Sequence, residues 1–260
     1  MNIEPMLLSE VDDEMVLDKE WIYQEKYNGV RAVIHVKDHK IVGVRGRSGN
    51  PLLFCYPELK DLTLDVATAI LDAEIVVLKD GRSVFYGGID QRRTAPTAAK
   101  LRDYPITAIV FDAIQLGEEV LVNLPYDKRL EKLEAFDWSG LKRWHIQLIE
   151  STPDGRQLWT RAKEENWEGI VCKNPLGIYE LGVRSKQFLK LKNYKFVDVV
   201  VEKTEPNPKG TKIYAHTEID GTMIDVECQR AGAFNINVGD NVRVKYLDIV
   251  GSRLIQPTNW

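Results

Sequence analysis

The chain has 260 residues, 44% of them hydrophobic, and a formal net charge of −4. That length suits one large globular domain or two modest ones. The mild acidity argues against a uniformly basic nucleic-acid binder, so any phosphate contact must come from local clusters of cations. No apolar run approaches the roughly 18 residues of a membrane helix, and no membrane partner is expected. MNIEPMLLSEVDDEM carries no basic stretch followed by an apolar one, so no secretory signal is expected and a cytoplasmic location is. Cys55, Cys172 and Cys228 lie far apart beside apolar residues and read as buried thiols of a reducing compartment, with no spacing that resembles a zinc site.

RAVIHV and KIVGVRG alternate apolar residues around a turn-like KDH, which predicts a hairpin. PELKDLTLDVATAI has helical spacing behind Pro57 and predicts a helix. LDAEIVVL and ITAIVFDAIQL read as buried strands. LPYDKRLEKLEAF reads as a helix with Pro125 at its start and Leu130, Leu133 and Phe136 on one face. QLWTRAKEENW predicts a further helix, GIVCKN the strand after it, and FLKLKNY a short strand. Beyond Lys195 the pattern becomes short strands: VDVVVEKTEP, KIYAHTEID, TMIDVECQ and VRVKYLDIVG. Asp220-Gly221 between alternating runs is a strong hairpin signal. Strands at this spacing suggest a small barrel or sandwich, with an oligonucleotide-binding (OB) barrel as the leading candidate. Basic residues gather at Arg45 and Arg47, at Arg92, Arg93, Lys100 and Arg102, and at Arg184, Lys186, Lys190, Lys192 and Lys195.

The most informative segment is Gln24-Glu25-Lys26-Tyr27-Asn28-Gly29-Val30-Arg31. The chain reaches a lysine, turns at Asn-Gly, and re-enters a strand with an arginine. Alone, such a lysine reads as a solvated charge. Further along come Asp72-Ala73-Glu74 leading into IVV, the Phe111 strand IVFDAIQLGEEV, Glu168-Gly169-Ile170-Val171, and Lys190-Leu191-Lys192. In that order these segments resemble the Lys-x-Asp-Gly-x-Arg, Asp-Gly-Glu, phenylalanine-strand, Glu-Gly-hydrophobic and Lys-x-Lys motifs of the covalent nucleotidyltransferases, which comprise DNA ligases, RNA ligases and mRNA capping enzymes. NLPYDKRLEKL resembles the DNA ligases in particular, and Pro5-Met6-Leu7 and Arg47-Ser48-Gly49 match weaker family features. The resemblance covers nearly the whole chain.

A minimal ATP-dependent DNA ligase is what this resemblance implies. The implied fold class is α+β: a nucleotidyltransferase (adenylation) domain of antiparallel sheets flanked by helices over residues 1–194, then a small all-β OB-fold barrel over 195–260. The implied cofactors are ATP, carried as covalent AMP on Lys26, and Mg²⁺; the implied partner is nicked duplex DNA, met by a monomer. An amine bonded to phosphorus is a labile phosphoramidate suited to passing AMP onward, and Lys26 must lose its proton to form it. Lys190 and Lys192 would favour that loss and neutralise charge on the α-phosphate. Glu74 and Glu168 would hold Mg²⁺ or the ribose hydroxyls. Arg31 would hold the ribose, and Phe111, otherwise a natural core residue, would stack on adenine. Gln24, two residues before the nucleophile, would accept from the adenine amino group, which favours ATP over GTP. Glu25 belongs to the same nucleotide-binding segment, but its side chain points the opposite way along the strand and reads as solvated. Arg47 would touch the 5′-phosphate of the nick, and Arg92, Arg93, Arg184, Lys186, Lys209 and Lys212 complete the expected DNA-contacting set.

Two departures from the pattern stand out. Asn28 replaces the motif's aspartate, which keeps one acceptor and loses a charge. GSRLIQPTNW resembles the approach to the family's Arg-x-Asp-Lys motif but does not contain it. Substitution by Arg243, Lys245 or Arg253, a truncated chain, and an impaired first step all stay open. With about 25 residues ahead of the lysine, an NAD-dependent ligase, which carries an extra domain there, is not expected. The competing readings are an RNA ligase or capping-type nucleotidyltransferase, a nick-binding protein impaired in self-adenylation, and an OB-type module fused to an unrelated α/β domain.

Overall fold

A computed structural model describes residues 3–138, 146–229, 232 and 235–259. Strands β1 (Leu7–Val11) and β2 (Ile22–Glu25) lead into a hairpin of β3 (Val30–Lys37) and β4 (Lys40–Gly46), followed by the long β5 (Thr68–Lys79). The hairpin turns as its sequence predicts: Asp38 and His39 take positive φ of 51° and 65°, the mirror-image turn that matches strand twist. Next come β6 (Arg82–Ser83), helix α1 (Ala98–Asp103), β7 (Ile106–Leu116), β8 (Glu119–Val120) and α2 (Tyr126–Glu134). They are followed by β9 (Ile146–Leu148), β10 (Ser151–Thr152), α3 (Gly155–Glu164), β11 (Gly169–Lys173) and β12 (Arg184–Lys192).

These strands form two sheets. One runs β4-β3-β5-β7-β8, with β6 on β5 and β9 on β7; the other runs β1-β12-β11-β2-β10. Most pairs are antiparallel, but β1 pairs with β12 and β7 with β9 in parallel, so the sheets are mixed rather than purely antiparallel as expected. Side-chain alternation decides the packing. Ala32, Ile34 and Val36 of β3 and Leu71, Ala73, Ile75 and Val77 of β5 face one large core, while Val33 and Val76 face smaller clusters on the opposite side. With both faces covered, these strands read as near-continuous apolar runs. Helix α2 buries Tyr126, Arg129, Leu130 and Leu133, one face at helical spacing. Helix α3 starts two residues before its predicted limit because Asp154 caps it, its Oδ1 accepting from Gln157 N at 2.9 Å.

The helix predicted at PELKDLTLDVATAI does not form. Pro57–Asp61 makes a single tight 3₁₀ turn, and the chain then runs extended into β5. Leu59 and Leu62 are both buried, which mimics helical spacing, but Leu62 and Leu64 alternate with exposed neighbours, and Thr63 bridges to Lys40 as a strand residue. β-Branched Thr63, Val66 and Thr68 favour that extended path.

By contacts, the chain divides into two compact units, Met1–Leu191 and Lys192–Trp260. The second holds β13 (Lys195–Val200), β14 (Lys203–Asn207), β15 (Gly210–Ile219), β16 (Thr222–Gln229), β17 (Asn241–Tyr246), β18 (Asp248–Val250), β19 (Arg253–Ile255) and β20 (Thr258–Asn259). They pair as β13-β17-β20 and β14-β15-β16-β19-β18 around a core that includes Val199, Ile213, Ile224, Val226 and Val244. Asp220 and Gly221, with φ of 50° and 75°, close the β15–β16 hairpin at the predicted place. The three cysteines are buried and none is in a disulfide among the described residues. Among the described residues, no helix is long and apolar enough to cross a membrane.

Candidate active site

The chain passes between the two sheets of the first unit twice, from β2 to β3 and again from β9 to β10, and the first crossing carries the lysine. β2 belongs to one sheet and β3 to the other, and Lys26 to Gly29 is the connection. Lys26 N still donates to Gly169 O at 3.0 Å, which pins the lysine to the start of β11 just as it leaves its own sheet. In the other sheet, Arg31 of β3 stands opposite Glu74 of β5, and Asp72 of β5 opposite Asp112 of β7. Residues far apart in sequence thereby line one open cavity, among them Gln24, Lys26, Arg31, Glu74, Phe111 and Lys173.

Lys26 Nζ lies 2.7 Å from Glu168 Oε2. Burial pushes the Glu74 carboxyl up to about 7; Lys26 and Arg31 pull it back, and Glu168 and Asp72 push it further. Glu74 is thus a half-buried carboxylate in the cavity wall, short of compensating positive charge. The Arg31 guanidinium forks onto Asp72, donates to Met6 O at 3.1 Å, and lies 4.7 Å from the centroid of the Phe111 ring. Tyr179 Oη donates to the same Asp72 carboxylate. Arg31 and Phe111, given separate ligand roles by the sequence, therefore form one packed pair.

Glu25 lines the cavity but is half-buried rather than solvated. Burial raises its carboxyl to about 7, and a hydrogen bond from Tyr27 partly offsets that. Lys190 is not among the cavity-lining residues; its Nζ pairs with Glu10 Oε2 at 3.0 Å across β12 and β1. Lys192 opens the second unit and donates to Tyr194 Oη at 3.2 Å and Gln256 Oε1 at 2.9 Å. Arg47, Arg93, Arg184 and Lys186 are exposed, as is Lys209 in the second unit, where Lys212 pairs with Glu227. Arg92 requires a correction. It is fully buried, forks onto Glu58 at 2.8 Å, and donates to Cys55 O and Tyr104 O, so its guanidinium is spent inside the protein and cannot reach DNA in this conformation.

Lys173 was missed. It is 2% exposed, donates to Phe111 O at 2.9 Å and Tyr126 Oη at 3.1 Å, and burial brings its ammonium down to about 7. The available signal was a lysine ending GIVCK, a strand whose other residues are all small or apolar. Asp112 and Arg129 form a second unforeseen feature, a fully buried two-point ion pair at 2.7 and 2.9 Å beneath the cavity. Among the described residues, no cluster of three or more His, Cys, Asp or Glu side chains could hold a metal ion.

A lysine-bearing turn, a pair of carboxylates and a floor of aromatic side chains thus meet in one cavity. Residues 5–192 match the family described as "ATP dependent DNA ligase domain". The chain is 29% identical over 202 residues to the SPbeta prophage-derived DNA ligase-like protein LigB of Bacillus subtilis, covering 77% of this chain and 71% of that one. It is 27% identical over 203 residues to the multifunctional non-homologous end joining DNA repair protein LigD of Mycobacterium tuberculosis, again over 77% of this chain but only 25% of that protein. The crystal structure of the ligase domain of M. tuberculosis LigD superposes with a TM-score of 0.65 at 20% identity, covering 100% of this chain and 94% of that one. The chain belongs to the ATP-dependent DNA ligase domain family.

Proposed function

We propose that this protein seals 5′-phosphate/3′-hydroxyl nicks in duplex DNA with AMP carried on Lys26 Nζ. The observation that carries the reading is the position of Lys26: a residue where one sheet hands over to the other, paired with Glu168 and facing Glu74 in the cavity. Glu168 Oε2 accepts the lysine proton as the amine attacks the α-phosphorus of ATP. The bond to pyrophosphate breaks and a phosphorus–nitrogen bond forms. An oxygen of the DNA 5′-phosphate then displaces Lys26 from that phosphorus, which gives an adenylated DNA end. The 3′-hydroxyl attacks the 5′-phosphate and AMP leaves.

Mg²⁺ fits the two carboxylates, because this ion takes one or two carboxylates and completes its shell with phosphates and water, and Glu74 is short of positive charge. Glu74 and the Glu168 oxygen that does not face Lys26 would hold it, and it would neutralise charge on the triphosphate. Gln24 reads the base, Phe111 stacks on it and Arg31, held on Asp72, meets the ribose. Lys190 and Lys192 act on the α-phosphate once their present partners release them. Residues 1–194 form the adenylation domain and 195–260 an OB barrel that grips the duplex as a monomer, with Arg47, Arg93, Arg184, Lys186, Lys209 and Lys212 on DNA phosphates. Contacts of that kind make binding strongly salt-dependent.

Intact-mass measurement after incubation with ATP and Mg²⁺ tests the reading. One added AMP is expected on the protein and none on Lys26→Ala. An adduct retained by Lys26→Ala overturns the assignment; no adduct on the unaltered protein, with nick binding intact, favours a nick binder that does not self-adenylate.

A further inference from the structure

Gln24 lies two residues before Lys26 and is 1% exposed. Its Nε2 donates to Tyr126 Oη at 2.7 Å and to Ser151 Oγ at 2.9 Å. Its Oε1, by contrast, is buried with no hydrogen-bond partner, on a side chain that lines the cavity. A buried acceptor left in that state is costly unless a ligand brings the donor.

Tyr126 decides which end of the amide is left over. Its hydroxyl has one proton, and it gives that proton to Phe111 O at 3.1 Å. Its oxygen can then only accept, and it accepts from Gln24 Nε2 and from Lys173 Nζ at 3.1 Å. Turned over, the Gln24 amide oxygen would have to take that one proton away from Phe111 O, whereas nitrogen-first every group around the hydroxyl is paired. Ser151 imposes no such choice, because its own hydroxyl can rotate to donate or accept. The tyrosine itself is held in place: it begins α2, and one turn on, Arg129 locks that helix to Asp112, the neighbour of Phe111.

We propose that Tyr126 is the positioning residue for base choice: by holding the Gln24 amide by its nitrogen, it presents Oε1 to the cavity and selects a purine with a 6-amino group over one with a 6-oxo group. The proposal rests on the reading that the cavity takes ATP. In this arrangement the preference originates outside the nucleotide's own contacts, in a hydroxyl that never touches the base. Freed of it, Gln24 offers either its oxygen to an amino group or its nitrogen to a carbonyl, and the preference falls.

The test compares covalent AMP and GMP transfer from ATP and GTP, each across a range of concentrations. The variants are Tyr126→Phe, Ser151→Ala and the double variant Tyr126→Phe with Gln24→Glu. Tyr126→Phe is expected to lose about tenfold or more of the preference for ATP, mainly in KM, by improving GTP relative to ATP. Ser151→Ala keeps the preference. The double variant regains it, because a carboxylate presents an oxygen whichever way it is turned. A parallel fall for both nucleotides in Tyr126→Phe overturns the proposal and leaves the tyrosine a structural role. Unaltered protein that takes up neither nucleotide overturns the parent reading instead. The unaltered protein also gives an answer that needs no variant: with labelled glutamine, the Gln24 amide protons should show nuclear Overhauser contacts to the Tyr126 ring, and their absence overturns the proposal.

Discussion

Glu168 Oε2 sits 2.7 Å from Lys26 Nζ, so the amine proposed to carry AMP is paired with a carboxylate placed to take its proton. The pair has a sequence origin: Lys26 follows β2, Glu168 precedes β11, and these two strands are hydrogen-bonded neighbours. Glu168→Gln keeps the shape and removes the proton acceptor. The single-turnover rate of AMP transfer to Lys26 is expected to fall by about 10² or more, the usual scale of a positioned base. A rate within a few-fold of the unaltered protein would show that the proton leaves by another route.

Burial acts in opposite senses on Glu74 and Lys173, and the two should be separable by pH. Glu74 is raised from 4.5 to about 7, so between those values the folded protein binds more protons than the unfolded chain, and stability falls as pH rises. Lys173 is lowered from 10.5 to about 7, so between 7 and 10.5 the unfolded chain binds more protons, and stability rises with pH. Glu74→Gln should flatten the decline in Tm between pH 4.5 and 7, and Lys173→Met should flatten the rise above pH 7. Melting curves across pH 4 to 10.5 in steps of about half a unit check both windows. Unchanged slopes would mean that water reaches these groups.

Much of this site was legible, and the illegible part has a common cause. Asn28-Gly29 between alternating runs announces a strand, a turn and a strand, and that local chemistry places Lys26 at an exit. The alternation of RAVIHV gave β3, and the near-continuous apolar runs LDAEIVVL and ITAIVFDAIQL gave β5 and β7, because strands covered on both faces need apolar residues on both. The buried polar contacts did not show, because nothing local requires them: the Tyr179 hydroxyl meets Asp72 from 107 residues away, and Arg129 pairs with Asp112 from the next helix. Arg92 failed for the same reason in reverse. Its cationic neighbours suggested a surface patch, but a sequence cluster does not say which side chain turns inward to meet Glu58. Pro57 misled because Leu59 and Leu62 satisfy one 3₁₀ turn as well as they satisfy a helix.

Arg129 and Asp112 are both essentially unexposed, so their pairing is a matter of mutual need rather than net gain. Arg129→Met should cost about 3–5 kcal/mol, since it leaves the Asp112 charge buried and uncompensated. Asp112→Asn with Arg129→Met should recover most of that loss, as no uncompensated charge remains. Urea unfolding midpoints with the slope held in view measure both. A double variant no more stable than Arg129→Met alone would place the cost in the lost contacts to Leu124 O and Gly177 O instead.

Gly29 ties the lysine-bearing turn to Glu74 by sheer closeness. A Cβ added there would lie 2.4 Å from Ile75 O, 2.7 Å from Val76 Cγ1 and 2.9 Å from Glu74 Cγ. The first of these is backbone of β5 and cannot swing aside, so the turn and the strand must part. Gly29→Ala is therefore expected to lower stability by about 1–3 kcal/mol, the cost of forcing extra volume into a packed contact. It should also slow AMP transfer by about 10², because parting the turn from β5 moves Lys26 relative to Glu74 by a fraction of an ångström or more. Single-turnover adenylation below the melting temperature separates the two effects. A variant that melts early but transfers AMP at the normal rate would show that the turn and Glu74 need not stay in register.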